Sequence, residues 1–189
     1  MALRNAVMAA LLDGEASGYD LAKGFDASLA NFWTATPQQL YRELDRMERE
    51  GLVTARVVRQ ERRPDKRVFS LTESGHAALR VYTAEPDGRP TAIRDGLLVK
   101  VQCADMGDIT AVHAQIAERV EWAQAKLARY ERLRERLLQG RGEDEFFSQA
   151  HRVGPYLTLL RGIAFEEENI RWGKTAQRVL EARAKASAI

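Results

Sequence analysis

Gln38 and Arg42 stand four residues apart in TATPQQLYRELDRMEREGLV, residues 34–53, so a helix through this stretch puts both on one face. Glutamine and arginine each present two hydrogen-bonding groups in one plane, which suits the major-groove edges of adenine and guanine respectively. Tyr41, beside them, can donate to a phosphate or stack on a sugar. The start of the helix is written into the same stretch: Thr36 as N-cap, Pro37 in the first helical position, and Gln39 completing a Thr-x-x-Gln capping box. Backbone N–H groups of that first turn and the positive end of the helix dipole also suit an anion. Leu40, Leu44 and Met47 form the inward stripe, which leaves Gln38, Arg42, Asp45 and Arg49 outward with Tyr41 and Arg46 flanking. Taken alone, this face is equally compatible with an ordinary solvated surface carrying i,i+4 charge pairs.

The next segment favours the chemical reading. Between Val53 and Arg67 there are six basic residues (Arg56, Arg59, Arg62, Arg63, Lys66, Arg67) against Glu61 and Asp65. Val53, Ala55 and Val57 alternate with polar residues, as do Phe69 and Leu71, giving two strands, with Arg63-Pro64-Asp65-Lys66 suited to a type I turn between them. A basic hairpin after a capped polar helix is suited to a duplex phosphate backbone or minor groove. The residues expected to touch DNA are Thr36, Pro37, Gln38, Gln39, Tyr41, Arg42 and Arg46 on the helix, and Arg62, Arg63, Lys66 and Arg67 on the hairpin.

These elements need a scaffold. Leu3, Val7 and Leu11 mark one face of a first helix, which Gly14 ends. Ser17 caps a second helix, with Asp20 returning the bond and Leu21, Phe25 and Leu29 as its stripe. Gly51 ends the third helix in a left-handed conformation and Leu52 folds back on it. Thr72 caps a fourth helix to about Ala84. Helix, helix, helix, β-hairpin, helix is the order of a winged helix-turn-helix over residues 1–85.

Glu85-Pro86-Asp87-Gly88-Arg89-Pro90 is expected to bound that domain from a helical one over residues 86–189. In the second part Ile109, Val112, Ile116, Val120, Ala123, Leu127 and Tyr130 recur at three- and four-residue spacing. They lie on a helix of about 30 residues, about 45 Å long. Such a narrow stripe makes a seam against another helix, in cis or from a second subunit. A last helix, about Pro155 to Arg183, carries Leu159, Ile163, Ile170 and Val179. Ile109, Val112, Ile116, Val120, Leu127, Ile163 and Ile170 are the expected dimer contacts.

Phe32 and Trp33 precede the capped helix and are expected either to pack beneath it or, for Trp33, to border a cavity towards the C-terminal helices. Phe32, Trp33, Trp122, Tyr130 and Trp172 are the candidate surface for a small aromatic effector, although aromatic residues on long helices more commonly form core or interface.

The remaining chemistry is sparse. Formal net charge is only +2 across 189 residues, so any argument for nucleic acid rests on where charges sit. The single cysteine, Cys103, excludes an internal disulfide framework, fits a reducing cytoplasm and, following the apolar run Leu97 to Val101, is expected to be buried. The longest uninterrupted apolar run, Ala6 to Leu12, is far short of the ~20 residues of a membrane span. His76, His113 and His151 are scattered, and Glu166-Glu167-Glu168 is expected to be a solvated face. With no nucleophile elbow, phosphate-binding glycine loop or framed carboxylate pair, an enzyme, a metal and a cofactor are not expected.

SGYDLAKGFD, FWTATPQQLYRELDRMEREGLV and RRPDKRVFSLTESGHAAL resemble the PadR family of bacterial transcriptional regulators. The most specific string runs Pro37-x-x-x-Tyr41-Arg42-x-Leu44-x-x-Met47-Glu48-x-x-Gly51-Leu52-Val53. The resemblance covers residues 3–84 closely. More loosely, IRDGLLVKVQCAD and a final helix bearing Trp172 resemble the C-terminal dimerisation domain of larger members. It implies a mainly α protein: a winged helix-turn-helix followed by long dimerisation helices. It also implies a homodimeric, cytoplasmic repressor on a palindromic operator, released in founding members by phenolic acids. Gln38, Gln39, Tyr41 and Arg42 would read DNA and residues 62–67 would form the wing. The competing functions are a protein-recruiting module in which DNA contact is secondary, and a non-specific architectural binder, which the modest net charge disfavours.

Overall fold

The computed structural model of the protein describes residues 2–24, 35–59, 65–86, 88 and 94–187. They form two compact units, residues 1–89 and 90–189.

The first unit is built around the capped helix. Helix α1 (Ala2–Ala10) runs into a 3-10 turn at Leu11–Asp13 that Gly14 closes at φ 129°. Strand β1 (Ala16–Ser17) leads into α2 (Gly18–Gly24), then come α3 (Pro37–Arg49), the hairpin β2 (Val53–Val58) and β3 (Lys66–Leu71), and α4 (Glu73–Ala84). The sheet has the order β1-β3-β2, antiparallel throughout, with Ala55 opposite Phe69 and Val58 opposite Lys66. Val7, Met8, Leu11, Leu21, Leu40, Leu44, Met47, Val53, Phe69 and Leu79 make one core. The α3 stripe is therefore buried as its spacing predicts, because Leu40, Leu44 and Met47 meet α1, α2 and β2 from one side.

Local signals account for most of the element ends. Leu52 N–H reaches Met47 C=O at 2.9 Å and Gly51 N–H reaches Glu48 C=O at 3.0 Å, with Gly51 at φ 72°, a Schellman ending that turns the chain into β2. Thr72 Oγ1 accepts from Gly75 N–H at 3.1 Å and donates to Gly51 C=O at 2.6 Å, so one hydroxyl starts α4 and ties it to the end of α3.

Two features depart from the sequence reading. Ser17 serves as the end of a third strand, paired with Val68, as well as a helix cap. Asp20 accepts from the Ser17 hydroxyl at 2.6 Å, and this bond holds the Asp20 carboxyl below its ordinary range. The second departure is Val57, which is exposed on the wing rather than buried. Phe25, Leu29 and the first two residues of the expected turn at 63–66 lie outside the described residues.

The second unit pairs two long helices, α6 (Ile109–Leu138) and α8 (Gly154–Ser187), with short α5 (Gly96–Gln102) and α7 (Glu143–Gln149) packed on them. The seam on α6 is filled in cis. Val112 and Ile116 pack with Leu97 and Ala104 against Trp172, Ala176 and Leu180, while Tyr130 packs with Leu159 and Ile163. Gly173 lets the long helices approach: a Cβ there would stand 2.4 Å from Val120 Cγ2. Of the seven expected dimer contacts, Val112, Ile116, Val120 and Ile163 are buried within the chain, and Ile109, Leu127 and Ile170 are half-buried.

Three expectations need correction here. Cys103 is exposed, because it caps the C-terminal end of α5 beyond its buried turn. Val179 is exposed on α8, outside its packed stripe. Glu166 is only 3% exposed: it lies on the inner face of α8, where it accepts from Lys126 Nζ at 2.8 Å and Asn169 Nδ2 at 3.1 Å. A buried carboxylate needs such partners to offset lost hydration.

Candidate nucleic-acid interface

The start of α3 is built as its sequence predicts. Thr36 Oγ1 accepts from Gln39 N–H at 3.2 Å and Gln39 Oε1 accepts from Thr36 N–H at 2.9 Å. Leu40 N–H bonds Thr36 C=O at 3.0 Å and Pro37 has no N–H, so Gln38 carries the one first-turn donor without a partner among the described residues. Gln39 is thereby half committed to the cap, while the Gln38 side chain is exposed and unengaged among the described residues.

Tyr41 and Arg42 follow on the same exposed surface. The Tyr41 ring lies over the first turn of α2, against Gly18, which explains a glycine in SGYD that sequence reasoning had not tied to the site. Arg42 is the one α3 arginine that makes no ion pair or hydrogen bond among the described residues. Arg46 pairs with Glu50 at 2.9 Å, and Arg49 donates to Asp45 C=O at 3.3 Å. Outward cationic character on α3 is therefore concentrated at its N-terminal half.

The other half carries Glu43, Asp45, Glu48 and Glu50, and arginines from flanking elements hold all four. Arg4 of α1 bonds Glu43 at 3.1 Å and Glu50 at 2.7 Å. Arg67 of β3 bonds Asp45 at 2.9 Å and also Glu48. Neither arrangement was legible from local spacing, since Arg4 lies 39 and 46 residues from its partners.

On the wing, three cations face carboxylates: Arg56 with Glu15, Lys66 with Asp20 at 3.8 Å, and Arg67 as above. Arg59 is exposed and makes no such pair among the described residues, a difference from the other hairpin cations that its local spacing does not signal. Arg62 and Arg63 lie outside the described residues, as do Phe32 and Trp33.

In the second unit the three described aromatic candidates do not converge. Tyr130 and Trp172 pack in separate apolar clusters. Trp122, 61% exposed, borders an open groove of about 300 Å³ with Lys100, Gln115, Glu118 and Arg119. Arg119 is held by a two-pronged bond to Asp95 at 2.6 and 3.1 Å, and that bond keeps the Asp95 carboxyl below its ordinary range. Among the described residues no His, Cys, Asp and Glu side chains gather as a metal would need, and no helix is long and apolar enough to cross a membrane.

A capped, exposed helix whose N-terminal half offers Gln38, Tyr41 and Arg42 beside a two-stranded wing defines a winged helix-turn-helix transcriptional regulator rather than an enzyme. The relatives specify it further. Residues 7–81 match the transcriptional regulator PadR-like family, and residues 93–181 match the virulence activator alpha C-terminal family. The probable transcriptional regulator Rv1176c of Mycobacterium tuberculosis is 37% identical over 185 residues, covering 91% of this chain and 94% of that protein. The negative transcriptional regulator PadR of Bacillus subtilis is 28% identical over 173 residues, covering 90% and 92%. The crystal structure of Bacillus subtilis PadR with operator DNA superposes with a TM-score of 0.79 at 24% identity, over 95% of this chain and 99% of that one. The same regulator with p-coumaric acid gives 0.71 at 23%, over 96% and 99%. The chain belongs to the PadR family of transcriptional regulators.

Proposed function

We propose that the protein is a homodimeric repressor that binds a palindromic operator through two copies of α3 and is released by a small aromatic effector. The observation that carries the DNA-reading assignment is Arg42, unpaired among the described residues, beside the unengaged Gln38, on a helix whose four carboxylates are all held by arginines. Gln38 and Arg42 read base edges. Thr36, Pro37, Gln39, Tyr41 and Arg46 line the backbone around them. The wing reaches the adjoining phosphates with Arg59, Arg62, Arg63 and Lys66. Working on DNA, the protein acts in the cytoplasm.

One winged domain reads a short half-site, and a twofold pair reads two about one helical turn apart. Residues 1–85 take the DNA and residues 86–189 take dimerisation and effector. Since the seam of α6 and α8 is closed in cis, a second copy meets the helical unit where apolar side chains stay exposed, among them Leu157 and Phe165 of α8, together with half-buried Leu127 and Ile170. For the effector, Trp122 is the described candidate aromatic that borders an open groove, and the groove is lined within the helical unit by Lys100, Gln115, Glu118 and Arg119. Tyr130 and Trp172 would contribute only by repacking. That PadR of Bacillus subtilis takes p-coumaric acid makes this compound the first to try.

The test is selection of bound duplexes from a random library with the intact protein. The expected product is one palindrome, bound by a dimer, with affinity falling as salt rises by a log–log slope of about −0.9 per phosphate contact. Equal affinity for all recovered duplexes would point to architectural binding instead.

A further inference from the structure

Arg67 stands on the basic wing, yet both terminal nitrogens of its guanidinium are engaged within the protein. Nη1 lies 2.9 Å from Asp45 Oδ1, Nη2 bonds Glu48, and the planar group lies 5.0 Å from the centroid of the buried Phe69 ring. Asp45 and Glu48 are one turn apart on α3, so a single planar fork spans both, which the point charge of a lysine does not do. The hydrogen bond to Asp45, the main cause, raises the Arg67 pKa further.

The charge balance of α3 gives this contact a consequence. The helix carries three arginines (42, 46, 49) and, with its C-cap, four carboxylates (43, 45, 48, 50), a sum of −1. DNA presents about one negative charge per 1.7 Å of axis, so free carboxylates on a reading helix oppose its approach. Arg4 covers Glu43 and Glu50 from one side, and Arg67 covers Asp45 and Glu48 from the other. Asp45 is three residues from Arg42 and more than half exposed, which places it on the surface that would meet DNA. For Arg67 to grip a phosphate it would have to abandon both carboxylates there.

We infer that Arg67 is a positioning residue for operator recognition: it screens Asp45 and Glu48 from the DNA backbone and fastens α3 to the wing, without itself contacting phosphate. This rests on α3 being the reading helix.

The experiment measures binding of full-length protein to the duplex recovered by library selection, with a shuffled duplex beside it. Arg67→Gln is expected to weaken binding about tenfold, because two carboxylates are uncovered beside phosphates. Asp45→Asn with Glu48→Gln is expected to tighten binding to the shuffled duplex. Adding Arg67→Gln to that pair should then change affinity by no more than about twofold, since the charges it screened are gone. Arg67→Lys, which keeps the charge but covers one carboxylate at a time, should fall between wild type and Arg67→Gln. A phosphate contact predicts that the loss persists in the triple variant, and that result overturns the inference. If Arg67→Gln alone does not fold, the triple variant against Asp45→Asn/Glu48→Gln gives the same decision. Arg42→Ala on the same duplex separates the two levels. Unchanged binding there removes α3 as the reader, whereas loss there with Arg67→Gln unaffected removes only the screening role.

Discussion

The ring of Tyr41 fills the space that a side chain at residue 18 would need: a Cβ on Gly18 would stand 2.2 Å from Tyr41 Cε1. The helix-turn-helix thus brings the first turn of α2 against the outward surface of α3 through one aromatic ring.

Gly18→Ala must displace that ring, and because Tyr41 is 45% exposed the ring can swing into solvent. The expected stability cost is small, about 1 kcal/mol or less, measured by thermal unfolding. Operator affinity should fall more than stability does, as the phenol leaves its place near the backbone. Tyr41→Ala should make the Gly18→Ala change nearly silent. Equal binding by Gly18→Ala and wild type would detach Tyr41 from DNA contact.

The approach of α6 and α8 at Gly173 has no comparable exit. Val120 is buried and β-branched, so a new Cβ forces either an off-rotamer valine or a shift between the helices. Gly173→Ala should cost about 1–3 kcal/mol by overpacking, read from denaturant unfolding. Val120→Ala in the same chain should recover part of that loss by clearing the methyl group, and additive destabilisation would contradict the close contact.

The Asp95–Arg119 pair predicts a defined acid response. Asp95 caps α5 and its folded pKa is lowered below the usual 3.8, chiefly by the Arg119 hydrogen bond. The unfolded chain therefore binds the proton more readily. The stability from this pair is complete above the ordinary aspartate range and is lost as pH falls through the lowered folded value. Asp95→Asn should cost about 1–2 kcal/mol near neutrality and flatten the pH dependence of thermal unfolding below about pH 4. An unchanged acid limb would show that the pair is screened by solvent.

What could be read from the chain alone follows from how local each signal is. The bounds of α3 were legible because cap, proline, capping glutamine and terminal glycine all lie within 16 residues, Thr36 to Gly51. The apolar stripes of α3 and α6 were legible because burial follows helical spacing. Strand β1 was not, since two residues cannot display alternation. The fate of charges was least visible: Glu166 belongs to an acidic run yet is buried against Lys126, and Arg67 meets Asp45 and Glu48 from 22 and 19 residues away. Pairings of that kind depend on how strands and helices pack, so the basic wing looked uniformly available when three of its four described cations face carboxylates.

Selection of duplexes by Arg42→Ala beside the wild-type protein tests the reading helix most directly. Wild type should recover one palindrome. Arg42→Ala should remain a folded dimer, lose about 1–3 kcal/mol of operator affinity and relax its preference at one symmetric pair of positions. Recovery of the same palindrome with the same affinity would contradict the assignment of α3 as the element that reads DNA.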